Sequence, residues 1–431
     1  MATLPRGRRF AYPLRVNVRL PDNTRHHDAA PRVLAARNDA MTSGPRTILF
    51  VNSWSTAHGG SSTSLIDVVV NLDPARYRPV VMCPTEGDLP ERLREAQIPV
   101  LVRGMHRPTR EELHRFLLEV PRHWRWLRAE SIALVHGNTS SSRRSIVQAA
   151  VTARVPYVQH VRNVVKHTNI TYGFDVAQRI VCNSESTAAP FQGRPGLRAK
   201  TVTIYNAVDL ARYDMEQDGR RGELGFDQQR PVIGFVGQIV PRKGVTTLIT
   251  AMREVVARIP DAVLVIVGCA PPDEIEYEAE CRRLVSSFGL DDHVRFMGYR
   301  RDVPAFMRTF DVFALPTRSE PFGKVVIEAM AARCPVVATH VGGIPEIITD
   351  SDLGTLIAPD DPAALSTALL AYLTDSERRA VVGAQSAASA RDRFSMKSML
   401  DRLQSLYDEV IDLHSSARPA RMPAPQREGA A

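Results

Sequence analysis

The chain has 431 residues, 44% of them hydrophobic and 24% charged, a composition that describes a globular protein too long for one ordinary core and excludes a disordered or collagen-like chain. Its formal net charge of +8 sits in its ends: residues 1–45 hold eight arginines against three aspartates and residues 415–431 three arginines against one glutamate, so the middle is close to neutral and no nucleic-acid partner is expected. The five cysteines, Cys83, Cys182, Cys269, Cys281 and Cys334, are odd in number and never spaced C-x-x-C, which argues against a disulfide framework or a zinc site, and no run of about 18 apolar residues could span a membrane.

Residues 1–45 are rich in Pro, Arg and Ala without apolar periodicity and are expected to form a disordered basic tail, as are residues 414–431. The first twenty residues lack the continuous apolar stretch of a signal peptide, and the head is a poor transit peptide; Met41 is a candidate natural start. From residue 46, short β-branched runs alternate with longer amphipathic segments, the pattern of βαβ units around a parallel sheet. Strands are predicted at 47–52 (TILFVN), 79–84, 133–138, 156–161 (PYVQHV), 179–184 and 200–205, then in a second series at 232–237 (VIGFVG), 262–268, 293–298, 311–316 (DVFALP) and 335–340. Two doubly wound α/β domains follow, over 46–210 and 211–395. The polar stretch 206–231 reads as the link between them, and Met396 to Leu413 has helical spacing.

In open parallel sheets, ligands bind outside the carboxyl ends of strands, and three loops there carry suitable groups. After the first strand comes STAHGGSSTSL (55–65), where Gly59 and Gly60 let a backbone approach a ligand and the next helix aims free N–H groups at an anion; a plain turn is the alternative. The second series opens with VGQIVPRKG (236–244), where Gly237 and Gln238 precede Arg242 and Lys243 at a helix start. Cations there oppose the helix dipole, so they call for a phosphate ligand or a carboxylate partner, unless they are simply solvated. The third loop, in EPFGKVVIE (320–328), puts Glu320 at a strand's carboxyl end and Glu328 one turn into a helix that begins near Lys324. A carboxylate on that apolar background suits paired hydroxyls, as on a ribose, and surface solvation is the alternative.

Together with VHGNTS (135–140), NAVD (206–209), FMGYRRDVPAFMRTFDVFALPTRSEPFGKVVIEAMA (296–331) and PVVATHVGGIPEII (335–348), these stretches resemble the retaining GT-B glycosyltransferases of the E-x7-E type, family 4, over roughly residues 46–413. The resemblance implies two Rossmann-like domains facing a cleft, with the helix 396–413 crossing back to the first. It implies a UDP- or GDP-linked sugar donor bound by Gly59, Gly60, Gly237, Gln238, Arg242, Lys243, Gly298, Tyr299, Arg300, Glu320, Phe322, Gly323, Lys324, Val325 and Glu328. In that pattern Glu328 holds the ribose hydroxyls and Glu320, with the Phe322–Gly323 backbone, the transferred sugar. Lys243 neutralises the departing diphosphate, His160 contacts the sugar near the reaction centre, and Gly298, Tyr299 and Arg300 read the base.

The resemblance further implies a hydroxyl acceptor, lipid-linked in many relatives, no metal or cofactor, and a cytoplasmic protein of surface-polysaccharide or glycoconjugate synthesis. Peripheral contact with the inner membrane face is an option, for which HRFLLEVPRHWRWLRAE (114–130) offers basic residues with Trp124 and Trp126. Gln238 stands where the family commonly has Arg, Arg333 where it has Gly, and Ala207 where it has Gly. A catalytically degenerate binding protein and, more remotely, a two-carboxylate glycoside hydrolase are the competing readings.

Overall fold

The structure is a computed structural model and describes residues 44–57, 59–139, 144–165, 170, 172–214, 219–227 and 229–416. Most of both predicted tails, residues 1–43 and 417–431, with the candidate start Met41 and with His58 of the first Gly-rich loop, lies outside the described residues.

The first sheet has seven strands: β1 (Arg46–Val51), β2 (Tyr77–Cys83), β3 (Val100–Val102), β4 (Ile132–Gly137), β5 (Tyr157–Val161), β6 (Arg179–Cys182) and β7 (Thr201–Thr203). The second has six: β8 (Val232–Val236), β9 (Val263–Val267), β10 (Val294–Phe296), β11 (Val312–Leu315), β12 (Val336–Thr339) and β13 (Thr355–Ile357). Their orders are β3-β2-β1-β4-β5-β6-β7 and β10-β9-β8-β11-β12-β13, and the pairings are parallel. Continuous β-branched runs suit strands covered on both faces, and β8, β9, β11 and β12 are buried at every residue. Both sheets wind outward from a central pair, β1/β4 in the first lobe and β8/β11 in the second, so each has a topological switch point at the carboxyl ends of those strands.

The sequence reading missed β3 and β13, and it treated 206–231 too simply as a link. Val208, Tyr213 and Phe226 are buried in the second lobe's core, so part of that stretch is anchored rather than free. The last helix, Met396–Ser416, runs past Leu413 and lays Met399, Leu400, Leu403, Leu406, Tyr407, Val410 and Ile411 on the first lobe, against Ile48, Phe50 and Tyr77. The spacing of those seven makes one apolar stripe, which is why the chain returns to the first lobe after building the second.

Candidate active site

The loops that leave the two switch points face one another across a cavity of about 500 Å³. Gly59, Gly60 and Arg162 line it from the first lobe, and Gln238, Arg242, Glu320, Phe322, Gly323 and Lys324 from the second. Gly237, Lys243, Val325, Glu328 and His160 are not part of that lining, nor are Gly298, Tyr299 and Arg300.

Glu320 and Lys243 come from loops after β11 and β8 that are tied to each other. Thr317 Oγ1 and Arg318 N both donate to Arg242 O, at 2.8 and 2.7 Å. Gly244, at φ 68°, lies so close to the neighbouring loop that a Cβ would sit 2.0 Å from Pro316 O. Gly342, at φ 56°, supports Glu320 from behind; a Cβ there would fall 1.8 Å from Glu320 O. Held this way, Lys243 Nζ donates to Glu320 Oε2 at 2.6 Å, with side chains only 10% and 13% exposed. A buried ion pair repays little of its desolvation cost, and beside a cavity the two groups are chemically able to offer a cation to anionic oxygens and a carboxylate to hydroxyls.

Glu328 follows one turn into the helix Lys324–Ala331 and is half-buried. Burial pushes its carboxyl above the usual glutamate range, against the pull of Lys324, while Asp67 adds to the rise. Lys324 itself reaches across the lobes to ion-pair with Asp67, on the helix Gly60–Asn71. Phe322 is buried, its ring stacked on Tyr205 at 5.5 Å. Arg300 is engaged by Asp302 at 2.9 Å and Glu223 at 3.1 Å, and its neighbour Tyr299 is 44% exposed.

His160, at the end of β5, is buried in a chain of rings: its Nδ1 lies 3.3 Å from His136 Nε2, and His136 Nδ1 lies 2.7 Å from the Tyr407 hydroxyl on the last helix. The phenol has no other acceptor among the described residues, so it donates to His136 Nδ1. His136 then carries its proton on Nε2 and donates to His160 Nδ1, which leaves His160 with an Nε2–H. That nitrogen has no partner among the described residues. Burial holds His136 down to about 3 and His160 well below the usual histidine range, so both rings are neutral and the chain ends in a donor. An unanswered buried N–H costs about 1–3 kcal/mol, a penalty that a substrate oxygen would relieve.

Several participants escaped the sequence reading. Ser184 Oγ, on the first lobe, donates to Pro321 O at 2.6 Å, one residue from Glu320. Glu346 of the second lobe accepts from the backbone N–H groups of Glu185 and Ser186, both at 2.8 Å, and so caps the helix Glu185–Gln192 of the first. Arg162, Asn138 and Asn206 form a buried polar cluster at the cavity. A lone Ser, Glu or Arg after a strand carries no distinctive spacing, although Asn206 belongs to the NAVD stretch.

Two family models cover most of the folded chain: "Glycosyltransferase Family 4" matches residues 58–212 and "Glycosyl transferases group 1" matches residues 216–388. The chain belongs to the GT-B glycosyltransferases. Among solved GT-B structures it is similar to Anabaena HepE in complex with UDP and glucose, at 26% identity and a TM-score of 0.74, covering 84% of this chain and 99% of that one. Among curated relatives it is 35% identical over 210 residues to a D-inositol 3-phosphate glycosyltransferase of Corynebacterium efficiens, over 47% of this chain and 49% of the relative. It is 33% identical over 235 residues to a GDP-mannose-dependent phosphatidylinositol monomannoside mannosyltransferase of Mycolicibacterium smegmatis, over 52% and 60%. The chain thus spans about half the length of the curated relatives it matches.

Proposed function

We propose that this GT-B chain moves a sugar from a nucleoside-diphosphate donor to a hydroxyl acceptor with retention of configuration and without need of a metal. The observation that carries the reading is the Lys243–Glu320 pair, stored beside the cavity onto which both switch points open. In the reaction the bond from the anomeric carbon to the diphosphate oxygen breaks. Charge grows on the phosphates as the sugar gains oxocarbenium character. Lys243, Arg242 and the N–H groups at the starts of the Gly60 and Lys324 helices are the groups that meet the growing charge. Glu320, released from Lys243, accepts from sugar hydroxyls; His160 Nε2–H donates to the sugar; and Glu328 takes the ribose. The acceptor hydroxyl attacks the face that the diphosphate leaves, and its proton passes to the departing phosphate oxygen, giving a glycoside and a nucleoside diphosphate.

The solved relative with UDP and the GDP-mannose-dependent relative define the two donor bases to try. Surface-polysaccharide or glycoconjugate synthesis in the cytoplasm is the setting we favour. Contact with a membrane face is supported by Leu113, Leu117, Leu118 and Trp124, all exposed on the helix Leu113–Ala129. No helix among the described residues is long and apolar enough to cross a membrane.

A thermal-shift screen of UDP, GDP and their sugars tests the reading. A ligand of the native state raises the melting temperature, and release of nucleoside diphosphate should then follow when hydroxyl acceptors are added, undiminished by EDTA. The same preparation mixed with anionic liposomes reports membrane contact by flotation. If neither nucleotide shifts the melting temperature, the donor assignment is wrong.

A further inference from the structure

Arg162 follows β5 at the cavity wall and is only 5% exposed. Its Nε donates to Asn138 Oδ1 at 3.0 Å and its Nη1 to Asn206 Oδ1 at 2.6 Å, both neutral amide oxygens. Among the described residues it forms no ion pair. Asp67, a carboxylate whose field it feels, is engaged by Lys324. Burial pulls the guanidinium down to about 10, which still leaves it charged near neutrality. A charge removed from water is costly unless an opposite charge answers it, and two amide dipoles are a partial answer.

The rest of the cavity points the same way. Glu320, the one carboxylate in the described lining, is already paired with Lys243. On Arg162's own side, the helix Gly60–Asn71 begins without a side-chain cap and without an acidic residue in its first turn. Opposite stands Gln238, a neutral side chain.

We propose that Arg162, oriented by Asn138 and Asn206, anchors a phosphoryl subsite on the first lobe. The proposal deepens the glycosyltransferase reading and rests on it. The phosphoryl group comes either from the donor diphosphate or from a phosphorylated acceptor.

Calorimetric titration of the full chain distinguishes these sources. UDP and GDP are titrated into wild type, Arg162→Gln and Arg162→Lys, and inorganic phosphate is titrated into each protein both free and saturated with nucleoside diphosphate. If the donor is the source, Arg162→Gln weakens nucleoside diphosphate at least tenfold and Arg162→Lys restores part of the loss. If the acceptor is the source, nucleotide affinity holds, while phosphate binding to the nucleotide-saturated protein falls tenfold or more. Asn206→Asp is the control for folding: a carboxylate at Asn206 Oδ1 neutralises Arg162 in place, so the anion is lost without loss of melting temperature. Binding of both nucleotide and phosphate within twofold of wild type, in folded Arg162→Gln or Asn206→Asp, overturns the proposal. Wild type that binds no nucleotide defeats the functional reading instead, and the phosphate titrations into free protein still decide for or against Arg162.

Discussion

Glu328 joins two requirements that pull against each other: it is half-buried, which raises its pKa, yet it must be ionised to accept from ribose hydroxyls. Nucleoside-diphosphate affinity should therefore fall on acidification with a midpoint above 4.5, the ordinary value for glutamate, because the free protein takes up the proton that binding must expel. Binding measured from pH 4 to pH 8 should show this fall in wild type and lose it in Glu328→Gln, whose affinity is low throughout. A Glu328→Gln profile identical to wild type would assign the titration elsewhere. Glu328, Glu320 and Lys243 were legible in the sequence because each sits at a fixed offset from a glycine or a helix start. The donor state of His160 was not, since it depends on Tyr407, 247 positions away in the numbering and brought near only by the returning helix. Nor does the sequence reveal that Arg162 has no carboxylate partner among the described residues, which is a property of its spatial neighbours.

The helix Lys324–Ala331 shows how an element can break a local preference and still end cleanly. Arg333 adopts φ 57°, the left-handed conformation usually left to glycine, and the turn closes with Arg333 N donating to Met330 O at 2.9 Å and Cys334 N to Ala329 O at 3.0 Å. The helix stop thus forms with Arg at this position, at a cost of about 1 kcal/mol. The Arg333 side chain is exposed and makes no hydrogen bond or ion pair among the described residues, so Arg333→Gly, which relieves the left-handed strain but frees the unfolded chain, should raise stability by about 0.5 kcal/mol with transfer unchanged. Urea denaturation reads this as a higher midpoint at constant slope; an unchanged or lower midpoint would mean that the strain is smaller than the entropy glycine adds to the unfolded chain. Long buried strands such as β8 and β9 were legible from their β-branched runs. The missed β3 and β13 have three residues each and are mostly half-buried at sheet edges; β7 and β10 are equally short edge strands and were found, so length alone does not separate them.

The two lobes repeat one winding order, so their switch points have equivalent positions, and opposing them makes a single cleft whose walls carry different chemistry. Ser184 with Pro321, Glu346 with the Glu185–Gln192 helix, and Asp67 with Lys324 tie the lobes on the cleft's margins. The βαβ alternation made this architecture readable, and the family resemblance added the crossing of the last helix. The bonds between lobes were not readable, because each joins residues that only the assembled pair of sheets brings together. The parting of Lys243 from Glu320, one to meet the phosphates and the other the sugar, is the step on which the proposed reaction turns. It is tested most directly by the single-turnover rate of sugar transfer, with the donor found by the screen, in wild type and in Lys243→Ala and Glu320→Gln proteins shown to be folded. A fall of roughly 100-fold or more is expected in each variant, the scale of losing one preorganised electrostatic contact in a water-poor site; transfer at the wild-type rate in either variant would rule this step out.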